Sequence, residues 1–82
     1  MLETITWLKD GKHRSVILNL LNSKPHLPTE IHEKTKIDRA TISRVLHDLK
    51  DKELVDSISK KSRTVTYFIT DPGIKILKEI KK

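Results

Sequence analysis

The hydrophobic period of this chain changes at Glu53, and that change limits the folds open to it. Upstream, apolar residues recur every three or four positions, which gathers them on one face of a helix. From 54 to 70 they alternate with polar residues, the period of a half-buried strand. Beyond Asp71-Pro72-Gly73 the helical spacing returns. The fold class is therefore α+β, mainly α: several helices, one hairpin and a closing helix.

Each helix carries its own punctuation. Leu2, Ile5 and Leu8 share one face of a short first helix, stopped or kinked at Asp10-Gly11. Over 12–22 the residues Val16, Ile17, Leu18, Leu20 and Leu21 form a wide apolar stripe, ended before Pro25, which cannot continue a helix. A short helix over 29–35, opened by Pro28 or Thr29, turns Ile31 inward, and Ile37 packs just after it. Asp38 suits the N-cap of a helix starting at Arg39, with Ile42, Val45, Leu46 and Leu49 inward. Ala40, Ser43, Arg44, His47 and Asp51 then share the opposite face. Strands over 54–60 and 63–70 pair as a hairpin, with Val65, Tyr67 and Ile69 alternating against Thr64, Thr66 and Phe68. Asp71 caps the last helix, Pro72 enters its first turn, and Ile74, Leu77 and Ile80 face inward.

Eighty-two residues make one domain, 1–82, with one core and no second lobe to enclose a catalytic cleft. Hydrophobic residues are 35% of the chain, so that core is thin and a homodimer is expected to support it. The 17 Lys and Arg outweigh the 11 Asp and Glu to give a formal charge of +6, which suits a polyanionic partner. Cysteine is absent, which removes disulfides, thiolate metal sites and redox motifs. No apolar run is long enough for a bilayer, and the N-terminus lacks the features of a signal peptide, so the expected location is cytoplasmic, away from membranes.

The segment Thr29-Glu30-Ile31 through Ile37-Asp38-Arg39-Ala40-Thr41-Ile42-Ser43-Arg44-Val45-Leu46 and Leu49 resembles the helix-turn-helix of MarR- and ArsR-type regulators. Glu53-Leu54-Val55, a basic hairpin tip, and Ile69-Thr70 with Gly73 extend the likeness, as do Arg14, Ile17, Leu18, Leu20 and Leu21 upstream. The resemblance spans about residues 11 to 78 and implies a winged helix-turn-helix: a three-helix core, a two-stranded β-hairpin wing, and flanking N- and C-terminal helices. Two positions depart from the pattern. Lys36, in the turn, and Glu53, at the exit of the third core helix, stand where those families carry glycine. Both sites favour a left-handed backbone, which costs a residue with a Cβ about 1 kcal/mol.

The resemblance also implies a function, that of a sequence-specific regulator of transcription binding double-stranded DNA, and not an enzyme. The helix over about 39–50 would lie in a major groove with its N-terminal half against base edges. Arg44 is the foremost base reader, because a guanidinium can donate two parallel hydrogen bonds to guanine. Ser43 and Thr41 serve a phosphate or a base edge, Arg39 either one, Ala40 a close approach or a thymine methyl, and His47 a polar groove contact. Thr29, Lys34 and Lys36 are candidate phosphate contacts. Lys60, Lys61 and Arg63, on a wing tip over about 59–64, would meet the minor groove or phosphates and release counterions. Two copies, joined through their first and last helices, would read half-sites about 10 bp apart.

Other chemistries fare worse. His13, His26, His32 and His47 include no pair at helical ligand spacing within one element, and with no cysteine present no metal or other cofactor is expected. Ser43, His47 and Asp48 are neighbours on one exposed helix and lack the buried base and oxyanion donors of a triad. The alternative function is a winged-helix protein-interaction module of a transcription or replication assembly. Such a module exposes an apolar patch, and none is evident in the sequence, although Trp7 and Phe68 are without an assigned role.

Overall fold

The computed structural model of the chain describes residues 2–59 and 64–80. Its elements run α1 (Leu2–Asp10), α2 (Lys12–Ser23), α3 (Pro28–Thr35), α4 (Arg39–Asp51), β1 (Val55–Ser59), β2 (Val65–Ile69) and α5 (Asp71–Ile80). Helices α2, α3 and α4 pack on one another, the hairpin closes one side, and α1 and α5 lie together against α2. This is the winged helix-turn-helix that the sequence predicts, with strands somewhat shorter than the alternation suggested. Residues 60–63, which hold most of the expected wing tip, lie outside the described residues.

The core draws on every helix. Leu8, Ile17, Leu18, Leu21, Ile31, Ile37, Ile42, Val45, Leu46 and Leu49 are buried, joined by Leu54, Val55, Ile76 and Leu77. Two residues placed on apolar stripes face outward instead: Leu2 is 76% exposed and Val16 45%. Leu2 is the first residue of α1, and Val16 lies at the edge of a stripe too wide for α2 to bury whole. In α5 the expected Leu77 is buried, but Ile76 is too, while Ile74 and Ile80 are only partly covered.

Both glycine-less turns adopt the left-handed conformation expected of them: φ is 63° at Lys36 and 63° at Glu53. At the first, side chains from α3 hold the turn. Thr35 Oγ1 accepts the Ile37 N–H at 3.2 Å, and the His32 ring donates from Nδ1 to the Ile37 carbonyl at 2.7 Å. At the second, Leu54 N–H donates to the Leu49 carbonyl at 3.0 Å and Glu53 N–H to the Lys50 carbonyl at 2.9 Å. That pair of bonds is the Schellman arrangement, and buried Leu54 supplies its apolar contact.

The hairpin is antiparallel, with Val55 opposite Ile69, Ser57 opposite Tyr67 and Ser59 opposite Val65. A third contributor was not legible in the sequence. His26 forms an isolated bridge with Tyr67, its N–H donating at 3.0 Å and its carbonyl accepting at 2.9 Å. Its imidazole is buried with both nitrogens engaged: Nδ1 donates to the Lys24 carbonyl at 2.7 Å, and Nε2 accepts from Lys34 Nζ at 3.1 Å.

The cap of α5 also differs from expectation. Asp71 is the first helical residue, and Thr70 Oγ1 accepts the Gly73 N–H at 3.2 Å while donating to the Glu53 carbonyl at 2.7 Å. One hydroxyl thus caps α5 and ties it to the exit of α4. Gly73 is required by proximity: a Cβ there would stand 2.3 Å from the Leu54 carbonyl oxygen.

Candidate nucleic-acid interface

The exposed face of α4 is built by its buried one. Ile42, Val45, Leu46 and Leu49 pin the helix to the core, so Ala40, Ser43, Arg44, His47 and Asp51 all point to solvent, with Arg39 exposed at the first turn. Their surface is the one the spacing predicts. Lys36 is exposed in the turn just before, and Thr29 is exposed in the first turn of α3. The structure therefore brings Lys36, Arg39, Ala40, Ser43, Arg44 and His47 onto one turn and helix. Lys60, Lys61 and Arg63 lie outside the described residues.

The start of α4 is more constrained than the sequence suggests. Asp38 accepts the Thr41 N–H through Oδ2 at 3.0 Å and the Thr41 hydroxyl through Oδ1 at 2.6 Å. These two bonds, the hydroxyl's foremost, hold the Asp38 carboxyl below its ordinary range, and the Arg44 charge adds to the effect. Thr41 is consequently partly covered and its hydroxyl proton committed. The signal was present as an aspartate three residues before a threonine, but cap residues are read for the backbone they satisfy, not for the hydroxyl they occupy. At the entry to α3 the corresponding group is Glu30, which accepts the Leu27 N–H at 2.8 Å, and that bond lowers its pKa.

Further along α4 two side chains are already engaged. His47 Nδ1 lies 3.4 Å from Asp51 Oδ2, with both side chains largely exposed, a geometry that contributes little to stability. Lys50 donates to Ser57 Oγ at 2.9 Å and so reaches across to β1. His47, Asp48 and Asp51 bring ligand atoms within 4.8 Å of one another, the described residues' one grouping that could hold a metal ion. Exposed acidic groups gather in this way without an ion, and the cluster has no buried ligand.

Two unassigned aromatic residues acquire places. The Arg14 guanidinium lies 4.3 Å over the Trp7 ring and donates to the Trp7 carbonyl, while Lys52 Nζ stands 5.5 Å from the same ring. Trp7 thereby ties α1 to α2 and to the end of α4. Phe68 joins Pro25, Ile58 and Thr66 in a shallow apolar patch on the outer face of the hairpin, where Ile58 is 51% exposed. The sequence suggests no such patch, because Pro25 is remote along the chain from the hairpin residues Ile58, Thr66 and Phe68.

A profile of the HVO_A0261 N-terminal domain matches residues 2–82. The chain belongs to that family. Among solved structures it is similar to MarR-family winged-helix regulators. The zinc-responsive MarR family member ZitR of Lactococcus lactis shares 27% identity at a TM-score of 0.75, over 83% of this chain and 49% of its own. A ZitR mutant in complex with DNA gives 28% and 0.75, over 83% and 48%. An Escherichia coli MarR mutant complexed with operator DNA reaches a TM-score of 0.81 at 20% identity, over 95% and 58%, a likeness of fold alone. The chain thus spans about half the length of the regulators it matches. No curated protein matches the sequence. Among the described residues, no helix is long and apolar enough to cross a membrane.

Proposed function

We propose that this domain is a sequence-specific, double-stranded DNA-binding regulator of transcription, acting in the cytoplasm as a homodimer and without catalytic activity. The observation that carries the reading is the solvent-facing side of α4, which presents Arg39, Ser43, Arg44 and His47 on a fold shared with a regulator solved on DNA. In this reading α4 enters the major groove, whose width admits a helix, and Arg44 reads guanine. Arg39, Lys36 and Thr29 meet phosphates or, for Arg39, a base edge. Lys60, Lys61 and Arg63 follow β1 and precede β2, so the hairpin would carry them to the minor groove or to phosphates, giving affinity with little sequence information. The reading invokes no metal: the one buried histidine has both ring nitrogens engaged by protein groups, and the grouping of His47, Asp48 and Asp51 has no buried ligand.

Fluorescence anisotropy tests this on random duplex and on duplex from the gene's own upstream region, across a salt series. The upstream duplex is expected to bind about 10³-fold tighter. Arg44→Ala should remove that preference, whereas Lys60→Ala with Lys61→Ala should mainly flatten the salt slope, by about one unit per lost phosphate contact. Absence of duplex binding at low salt would overturn the reading.

A further inference from the structure

The pairing at the start of α4 decides more than helix stability. An ionised carboxylate only accepts hydrogen bonds, and a hydroxyl has one hydrogen and two lone pairs. Asp38 Oδ1 lies 2.6 Å from Thr41 Oγ1, and Oδ2 takes the Thr41 N–H at 3.0 Å. The single hydroxyl hydrogen of Thr41 therefore points at Asp38, and only lone pairs remain for a ligand.

We propose that Asp38 makes Thr41 an acceptor-only reader, so that the first turn of α4 selects a base bearing an exocyclic amine in the major groove, cytosine or adenine. This rests on the DNA-binding reading above. In the major groove cytosine offers its N4 amine and adenine its N6 amine, whereas guanine O6 and N7 and thymine O4 are acceptors and would face the Thr41 lone pairs. Phosphate oxygens are acceptors too, so the Thr41 hydroxyl is not a phosphate donor. The Asp38 charge acts in the same direction. It sits at the positive end of the α4 dipole and offsets the attraction that would otherwise draw a phosphate to that end. Arg44, one turn on along the same row as Thr41, supplies the opposite chemistry, a pure donor suited to guanine. The two residues together specify unlike neighbours.

Selection of bound duplexes from a randomised pool, followed by sequencing, tests this with the wild-type chain and three variants whose folding is checked by circular dichroism. The wild type should enrich a motif with cytosine or adenine at one position. Thr41→Val, which keeps the shape and removes the acceptor, should reduce that preference about three- to tenfold, the worth of one hydrogen bond, and Thr41→Ser should restore it. Asp38→Asn keeps a good N-cap but offers an N–H where Oδ1 stood, which frees the Thr41 hydrogen. Its preference should move toward guanine or thymine. If folded Val and Asn variants enrich the wild-type motif unchanged, or if the Val variant loses all duplex binding, the proposal is overturned and the regulator reading stands. A wild-type chain that enriches nothing and binds no duplex overturns both.

Discussion

Lys36 and Glu53 show what single residues cost and what their neighbours recover. Each holds φ at 63°, a conformation in which glycine meets no Cβ penalty. The fold tolerates them because the surrounding hydrogen bonds over-determine both turns. Replacing either with glycine should raise stability by roughly 0.5–1 kcal/mol, the relief being reduced by the greater freedom of glycine in the unfolded chain. Urea denaturation of Lys36→Gly and Glu53→Gly would show it, and an unchanged midpoint would mean that the relief and the entropy cancel. Gly73 is the converse case. Its conformation is ordinary, but a Cβ would press on the Leu54 carbonyl and on Ile69 at 2.6 Å, so Gly73→Ala should destabilise by about 1–3 kcal/mol.

At the scale of elements, two helix starts depend on ionised carboxylates. Glu30 serves α3 and Asp38 serves α4, and both have pKa values lowered by the hydrogen bonds they accept, from the Leu27 amide and from Thr41. A group whose pKa is depressed on folding stabilises the native state fully above its unfolded value and ceases to do so as pH falls through the folded one. Unfolded Glu and Asp titrate near 4, so stability should decline from about pH 5 downward. Thermal melts from about pH 6 to 3 should show this decline, and Glu30→Gln with Asp38→Asn should make it shallower. An unaltered pH profile in that double variant would place the acid sensitivity elsewhere. The remaining junctions depend on shared groups: the Thr70 hydroxyl joins α5 to the end of α4, and the Trp7 ring joins α1 to α2 under Arg14.

Over the whole molecule, the core is spread thinly across five helices and a hairpin, and α1 and α5 lie on the same side with Leu2 exposed on α1. A small domain buries a modest fraction of its surface, so the proposed second copy would add burial where α1 and α5 meet it, with Leu2 as the probe of that contact. Sedimentation equilibrium should find twice the 9.5 kDa of one chain, and Leu2→Asp should shift the population toward monomer. A wild-type chain that sediments as monomer would remove the homodimer from the proposed function, and with it the paired half-sites.

The sequence by itself determined the fold class, the order of the elements, the inner face of α4 and the two left-handed turns. The first three follow from local rules, namely helical spacing, proline and cap residues, while the two turns follow from the resemblance, whose pattern carries glycine where this chain has Lys36 and Glu53. Only the tertiary structure decided that Leu2 and Val16 face outward, that His26 adds a strand bridge, and that Ile58 and Phe68 form a patch with Pro25. Each of those depends on which surfaces meet across the chain, and amphipathic periodicity does not encode such meetings. The same holds for Thr41. Its place on α4 was legible, but whether its hydroxyl donates or accepts depended on where the Asp38 oxygens lie.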